Sequence, residues 1–179
     1  MSAPLYALVA YVKSPVGIFV EDLRRELHPE HAEQPAHVTV LPPRPLQGAA
    51  EDAQRQIEEV CRTIQPFELA LGEVATFTPV TPTVFIRVAR AAYRMRELHD
   101  KLNAGALAYD EPWPYMPHLT IVKVAEPEAA HRASVVSRQR WAQYRGVRRI
   151  WVEELTFVCA GESDTWIDVA AIRLGDQRG

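Results

Sequence analysis

The protein has 179 residues, of which 47% are hydrophobic and 24% are charged. These values are typical of one folded globular domain and exclude a largely disordered chain. The 20 basic and 23 acidic residues leave a net charge of −3, which excludes a strongly cationic protein held on nucleic acid by bulk electrostatics.

The hydrophobic pattern predicts strands and helices that alternate along the chain. The predicted strands are residues 5–12, 36–41, 67–77, 83–88, 118–124, 149–159 and 165–174. The predicted helices are residues 15–28, 48–64, 91–102 and 127–144. Pro42 and Pro43 are expected to stop the second strand, because proline cannot donate a hydrogen bond to a sheet.

The order of these elements repeats. Strand, helix, strand, helix, strand occurs from residue 5 and again from residue 83. This duplication predicts an α+β fold with two similar lobes, approximately residues 1–78 and 83–174, within one bilobal domain spanning 1–179. Each lobe should hold a small, mostly antiparallel sheet with outer helices, and a cleft should separate the lobes.

The two cysteines and the apolar runs indicate where the protein works. Cys61 and Cys159 are too few for a disulfide scaffold and are expected to be small core residues. No apolar run reaches the roughly 20 residues that a membrane span needs. These features predict a cytoplasmic protein that has no membrane association.

One pattern occurs once in each repeat, as His37-Val38-Thr39-Val40 and His118-Leu119-Thr120-Ile121. Residues i and i+2 of a strand share a face, so each histidine points the same way as the threonine that follows it. An imidazole on a strand must find a polar partner or stay in contact with water. Two such polar faces at matched positions predict a shared site between the lobes.

These four side chains suit chemistry at phosphorus. One neutral and one protonated imidazole can act as base and acid on opposite sides of a reaction centre. The hydroxyls of Thr39 and Thr120 can donate to phosphate oxygens. The arrangement requires no metal and no cofactor.

The two segments Pro35–Leu41 and Tyr115–Ile121, together with the repeated order of elements, resemble the two-histidine (2H) phosphoesterase superfamily. The bacterial branch called 2′-5′ RNA ligase or RNA 2′,3′-cyclic phosphodiesterase is the most similar in style. The resemblance implies hydrolysis of a cyclic phosphate, or the reverse joining of a 2′-hydroxyl. It also implies that His37 is the proton donor and His118 the base.

Five further residues are candidates for binding the substrate. Arg44 follows the double proline and either reaches a phosphate from a loop or is an exposed loop charge. Lys123 points away from the histidine face by strand parity, unless a bulge turns it back. Trp113, Tyr115 and Phe77 either stack on a nucleobase or pack between the lobes.

A metal site and the other four histidines are also considered as alternatives to these roles. A zinc site built on His37 and His118 lacks a third ligand at short spacing. The remaining histidines, which lie on polar segments or at a helix end, are expected at the surface: His28, His31, His99 and His131.

The sequence therefore predicts a metal-independent phosphodiesterase acting on 2′,3′-cyclic phosphates of RNA ends or small nucleotides. The alternatives are a module that only binds such a ligand, a 2′-5′ RNA ligase, and a purely structural repeat. The net charge disfavours the wide basic groove that a ligase needs. The expected partner is the RNA end or cyclic nucleotide, and nothing indicates an obligate protein partner.

Overall fold

A computed structural model describes residues 2–31, 34–162 and 165–176. Within these ranges the chain is an α+β fold, as the sequence predicts. The strands are β1 (Tyr6–Tyr11), β2 (His37–Arg44), β3 (Phe67–Thr76), β4 (Thr83–Arg90), β5 (His118–Lys123), β6 (Arg149–Val152), β7 (Glu154–Ala160) and β8 (Trp166–Arg173). The α-helices are α1 (Pro15–Leu27), α2 (Ala50–Thr63), α3 (Ala92–Leu102) and α4 (Pro127–Gln143).

The described strands form one antiparallel sheet in the order β6-β3-β4-β5-β2-β1-β7-β8. From the central pair outward, β2, β1, β7 and β8 correspond to β5, β4, β3 and β6. Strand β3 belongs to the first sequence repeat but lies beside β4, and β7 belongs to the second repeat but lies beside β1. The two sequence repeats therefore exchange a strand, and their boundaries do not coincide with the spatial halves of the sheet.

The sheet is strongly curled. The sequence predicts one strand over residues 149–159, but the structure divides this segment into β6 and β7. Only Glu153 separates the two strands, yet β6 pairs with β3 at one end of the sheet and β7 pairs with β1 near the other. Because one residue cannot cross a flat sheet, the two ends must curl toward each other.

Strand β2 continues through Pro42 and Pro43 to Arg44, whereas the sequence analysis ends it before the prolines. The reason lies in its neighbours. On the side of β5, β2 pairs only at Val38↔Leu119. Pro42 and Pro43 therefore do not need a backbone N–H to donate to β5. Toward β1, the pairing resumes at Tyr6↔Arg44 after a register shift.

The helices and the buried side chains of the central strands form one hydrophobic core. Val38, Val40, Leu119 and Ile121 are fully buried in it. Helix α1 packs on β5 and helix α3 packs on β2, so each helix covers the central strand of the other repeat. The alternate residues of β2 and β5 are thereby directed to the opposite face of the sheet.

A β-bulge follows the motif threonine in each central strand. The register of β2 on β1 moves from Val9↔Thr39 to Leu8↔Leu41, which leaves Val40 as the extra residue. The register of β5 on β4 moves from Phe85↔Thr120 to Val84↔Val122, which leaves Ile121 extra. A bulge reverses the facing of the residues that follow it, and this determines the contents of the site.

Candidate active site

The two motifs lie side by side on the central strands. Val38 pairs with Leu119, and both are fully buried. The flanking residues, which are half-buried, share the other face of the sheet: His37, Thr39, His118 and Thr120. Continuing the antiparallel register places His37 across from Thr120 and Thr39 across from His118. Each imidazole thus has a hydroxyl of the other motif as its neighbour, where directly opposed β-carbons lie roughly 5 Å apart.

Both imidazoles are held in the same way. Nδ1 of His37 lies 2.8 Å from the carbonyl oxygen of Pro35, and Nδ1 of His118 lies 2.8 Å from that of Met116. A carbonyl only accepts, so Nδ1 carries the hydrogen in each neutral ring. The lone pair is then on Nε2, which can accept a proton when the ring is neutral and donate one when it is charged.

Burial lowers the pKa of both histidines below its ordinary value near 6.5. For His37 the loss of solvation dominates, the Pro35 carbonyl opposes it, and the charges of Arg24 and His118 lower the pKa further. For His118 the loss of solvation again outweighs the carbonyl of Met116. The charge of His118 is thus one of the groups that lower the pKa of His37, which agrees with the placement of the two rings on neighbouring strands.

The bulge in β5 brings Lys123 to the site. By simple alternation the Lys123 side chain would point to the face of the sheet away from His118. The extra residue Ile121 shifts the alternation by one, so Lys123 lies on the same face as His118 and Thr120. Ile121 and Val122 are both buried, while Lys123 is exposed. The corresponding position after the β2 bulge is Pro42, so β5 alone of the two central strands has a lysine at this position.

Aromatic rings border the site beside His118. The rings of Phe77 and Phe85 stack with their centroids 4.1 Å apart. Their centroids lie 5.0 and 5.1 Å from that of His118, with both rings edge-on or tilted to the imidazole. Phe77 is therefore brought to the site, where it packs against Phe85 and His118.

The other two candidate aromatic residues differ in their surroundings. The Tyr115 hydroxyl donates to the carbonyl of Thr39 at 2.7 Å, and its ring stacks on His99 at 4.2 Å. Burial raises the pKa of Tyr115. The hydrogen bond joins the two repeats, and the ring contact with His99 lies within the second repeat. Trp113 is 62% exposed, so its ring is accessible to a ligand.

The sequence pattern predicts Arg44 in a loop. In the structure the residue lies at the end of β2 and is 1% exposed. Its guanidinium donates to Glu111 at 2.6 Å and to Asn103 at 2.7 Å, and also to the carbonyl of Leu107 at 3.0 Å. This network commits the guanidinium to the protein interior. Arg44 is therefore a structural residue and is not positioned to contact a phosphate.

The same network corrects the prediction for His99. His99 is 8% exposed, because its Nε2 lies 2.7 Å from the Glu111 carboxylate that also binds Arg44. The Glu111 side chain is 10% exposed and contacts both Arg44 and His99, and the polarity of helix α3 alone does not reveal this contact. His131 is exposed as expected, His28 is half-buried, and the side chain of His31 lies outside the described residues.

Arg24 is a residue of the site that the sequence analysis missed. It is 5% exposed on α1, and its guanidinium donates to the carbonyls of Ile121 at 2.7 Å and Thr120 at 2.8 Å, and to that of Gln34. It therefore ties the second motif to the segment that precedes the first. The signal was present, since Arg24 continues the apolar stripe of Val16 and Val20 at a spacing of four residues.

The remaining site predictions concern metals, thiols and membranes. Among the residues that the structure describes, no three His, Cys, Asp or Glu side chains come together as a metal site. Cys61 is buried, and this raises its thiol pKa to about 12. No described helix has the length and hydrophobicity needed to cross a bilayer.

Solved structures of other proteins share this fold. A structure of TT0787 from Thermus thermophilus aligns with a TM-score of 0.66 at 15% identity, covering 97% of this chain and 99% of that one. Escherichia coli LigT, solved with NADP+, aligns with a TM-score of 0.64 at 12% identity and the same coverage. At these identities the structural likeness establishes the fold alone.

Sequence comparison identifies the family. OB1230 of Oceanobacillus iheyensis, named "putative phosphoesterase", is 25% identical over 124 residues, which are 68% of this chain and 71% of that protein. The similarly named BH1439 of Halalkalibacterium halodurans is 26% identical over 117 residues, 65% of this chain and 68% of that protein. The family model described as the 2′-5′ RNA ligase superfamily matches residues 12–160. The chain belongs to the 2′-5′ RNA ligase superfamily, the two-histidine phosphoesterases.

Proposed function

We propose that this protein is a phosphodiesterase that opens 2′,3′-cyclic phosphates at RNA ends or on small nucleotides. Membership of the superfamily supports a phosphoesterase or a ligase. The observation that carries the finer proposal is the matched pair of imidazoles, each with Nδ1 fixed to a backbone carbonyl and Nε2 left for proton transfer. A cyclic phosphate needs one such base and one such acid.

In this mechanism neutral His118 takes a proton from water through Nε2, and the water oxygen forms a bond to phosphorus. The bond from phosphorus to one ribose oxygen breaks, and the His37 imidazolium gives its Nε2 proton to that oxygen. Burial, and after it the neighbouring positive charge of Arg24, lowers the pKa of His37 and so makes its imidazolium a stronger acid, which supports this assignment. The cyclic phosphate ring is thereby opened, and the product is a nucleoside monophosphate.

The remaining polar groups stabilise the charge that develops on phosphorus. The hydroxyls of Thr39 and Thr120 donate to the non-bridging oxygens, and Lys123 supplies the cation from the edge of the site. Trp113 is placed to stack on an exposed base of a longer RNA end. Phe77 supports His118 through their ring contact.

The test is to incubate the protein with a 2′,3′-cyclic mononucleotide, with and without a chelator, and to monitor hydrolysis by phosphorus NMR. Turnover to a single monophosphate, unaffected by the chelator, is expected. Binding of the nucleotide without turnover would identify a binding module instead. Joining of a 2′,3′-cyclic phosphate end to a 5′-hydroxyl end, without hydrolysis, would identify a ligase.

A further inference from the structure

A cavity of about 850 Å³ opens beside His37 on the polar face of the sheet. Tyr11 lies on β1 directly across from His37, and both residues line the cavity, which therefore adjoins the proposed phosphate position on the His37 side. Its far wall is formed by Trp166 and Asp168 at the start of β8. This volume lies within the range of pockets that hold small molecules such as a nucleoside.

The walls of the cavity combine aromatic and apolar surface with one oriented acceptor. Trp166 and Tyr11 pack against the small buried cluster of Ala7, Val9 and Val158. The Tyr11 hydroxyl donates to Oδ1 of Asp168 at 2.8 Å. This hydrogen bond fixes the carboxylate, which has lone pairs on both oxygens to accept further donors from a ligand.

The charge of the cavity disfavours further phosphates. Glu21, Glu30 and Asp168 line it, against Lys13 and the imidazolium of His37 when that ring is protonated. Glu21 also accepts a hydrogen bond from the backbone N–H of Ala36 at 3.1 Å. A neutral group that donates hydrogen bonds is therefore favoured over an extension of the phosphate chain.

The opposite side of the phosphate position is already filled. There the stacked rings of Phe77 and Phe85 lie against His118. A nucleobase is joined to the ribose that carries the cyclic phosphate, so it must lie toward one motif or the other. The open side is that of His37.

We infer that the cavity lined by Tyr11, Trp166 and Asp168 is a nucleobase site that selects bases with adjacent N–H donors, guanine before uracil. This inference rests on the proposed function. Guanine presents N1–H and an exocyclic amino group side by side, which matches the two oxygens of a carboxylate. Uracil presents a single N–H between two carbonyl oxygens, and these repel the Asp168 carboxylate.

The experiment compares kcat/KM for the 2′,3′-cyclic phosphates of guanosine, inosine and uridine. Guanosine is expected to exceed uridine by about tenfold or more, because hydrogen bonds to a charged group are the stronger kind. Inosine differs from guanosine only in lacking the amino group and should fall between them. Asp168→Asn, whose amide can still accept from Tyr11, should bring the guanosine-to-uridine ratio close to one.

The matched control is Glu73→Gln. Glu73 is an exposed carboxylate that pairs with Arg87 at 3.3 Å beyond His118, and its replacement should leave the ratio unchanged. An equal rate for the three substrates in the unaltered protein would overturn the inference, as would an unchanged ratio in Asp168→Asn.

A second measurement separates this inference from the proposed function. If no cyclic nucleotide is hydrolysed, the phosphodiesterase proposal fails, and binding of guanosine and uridine 3′-monophosphates is measured by calorimetry. If the guanosine nucleotide binds more tightly than the uridine nucleotide, and Asp168→Asn abolishes this preference, the base site is supported even though the protein does not catalyse the hydrolysis. Equal binding of the two nucleotides would refute the base site as well.

Discussion

Each motif histidine exposes one defined nitrogen, because its Nδ1 is held by the carbonyl two residues before it. Replacement with glutamine removes proton transfer while keeping a polar side chain of similar reach. His37→Gln and His118→Gln are each expected to lower kcat by about 10²–10⁴. The control is His131→Gln, which changes an exposed histidine on α4 and should retain full activity. Activity that survives either motif substitution would remove that histidine from the mechanism.

The position of the Lys123 side chain depends on the β-bulge in β5. The bulge at Ile121 places its charge on the face of His118, where it can approach a bound phosphate. Lys123→Met is expected to lower kcat/KM by about threefold to tenfold, a modest effect because the side chain is exposed. Lys101→Met, which alters an exposed lysine on α3 paired with Glu97, is the control. Equal kinetics for the two variants would place Lys123 outside the site.

At the scale of elements, helix α1 holds the second motif through Arg24. Its guanidinium satisfies the carbonyls of Thr120 and Ile121 at the bulge, and its charge helps to lower the pKa of His37. Arg24→Met should lower the free energy of unfolding by about 2–4 kcal/mol, since buried carbonyls lose their donor. Removing the charge favours the imidazolium, so the pKa of His37 should rise.

The pH profile of kcat/KM distinguishes this positioning role from a purely structural one. In Arg24→Met the limb that reports His37 should move to higher pH. Arg25→Met is the matched control, because Arg25 is the adjacent residue on the helix and makes only an exposed pair with Asp22. A profile of Arg24→Met that coincides with that of Arg25→Met would contradict the role.

The close approach of α1 to the end of β1 depends on Gly17. A β-carbon at this position would lie 1.8 Å from the carbonyl oxygen of Val12, a backbone atom that cannot move independently. Gly17→Ala is therefore expected to cost about 2–3 kcal/mol of stability in denaturant unfolding. Gly48→Ala, whose β-carbon would meet nothing closer than Ala106 at 4.0 Å, should be nearly neutral. Equal stability of the two variants would show that α1 does not pack as described.

At the scale of the whole molecule, the fold class and the motif pair were predictable from sequence because both depend on local patterns. The alternation around His37 and His118 places their side chains on one face in any strand. The sheet order was not predictable, because strands β6 and β7 are adjacent in sequence and differ only in their distant partners. Nothing local distinguishes them, apart from Glu153 between them.

Three residues show where sequence patterns mislead. Arg44 and His99 have the polarity of surface residues, but both are buried because they share the carboxylate of Glu111. Networks of this kind join residues that are distant in sequence and leave no periodic signal. Lys123 lies on the site face because of a bulge, and strand parity alone assigns it to the opposite face.

Two imidazoles that act as a pair on one phosphate impose a characteristic pH dependence on kcat/KM. Burial lowers both pKa values below about 6.5, so the singly protonated pair is most populated at acidic pH. We expect a bell-shaped profile for a 2′,3′-cyclic nucleotide with its maximum below pH 6.5. His118→Gln should lose the acidic limb and His37→Gln the alkaline limb. A rate that stays flat from pH 5 to 9 in the unaltered protein would show that the two imidazoles do not act as an acid and a base.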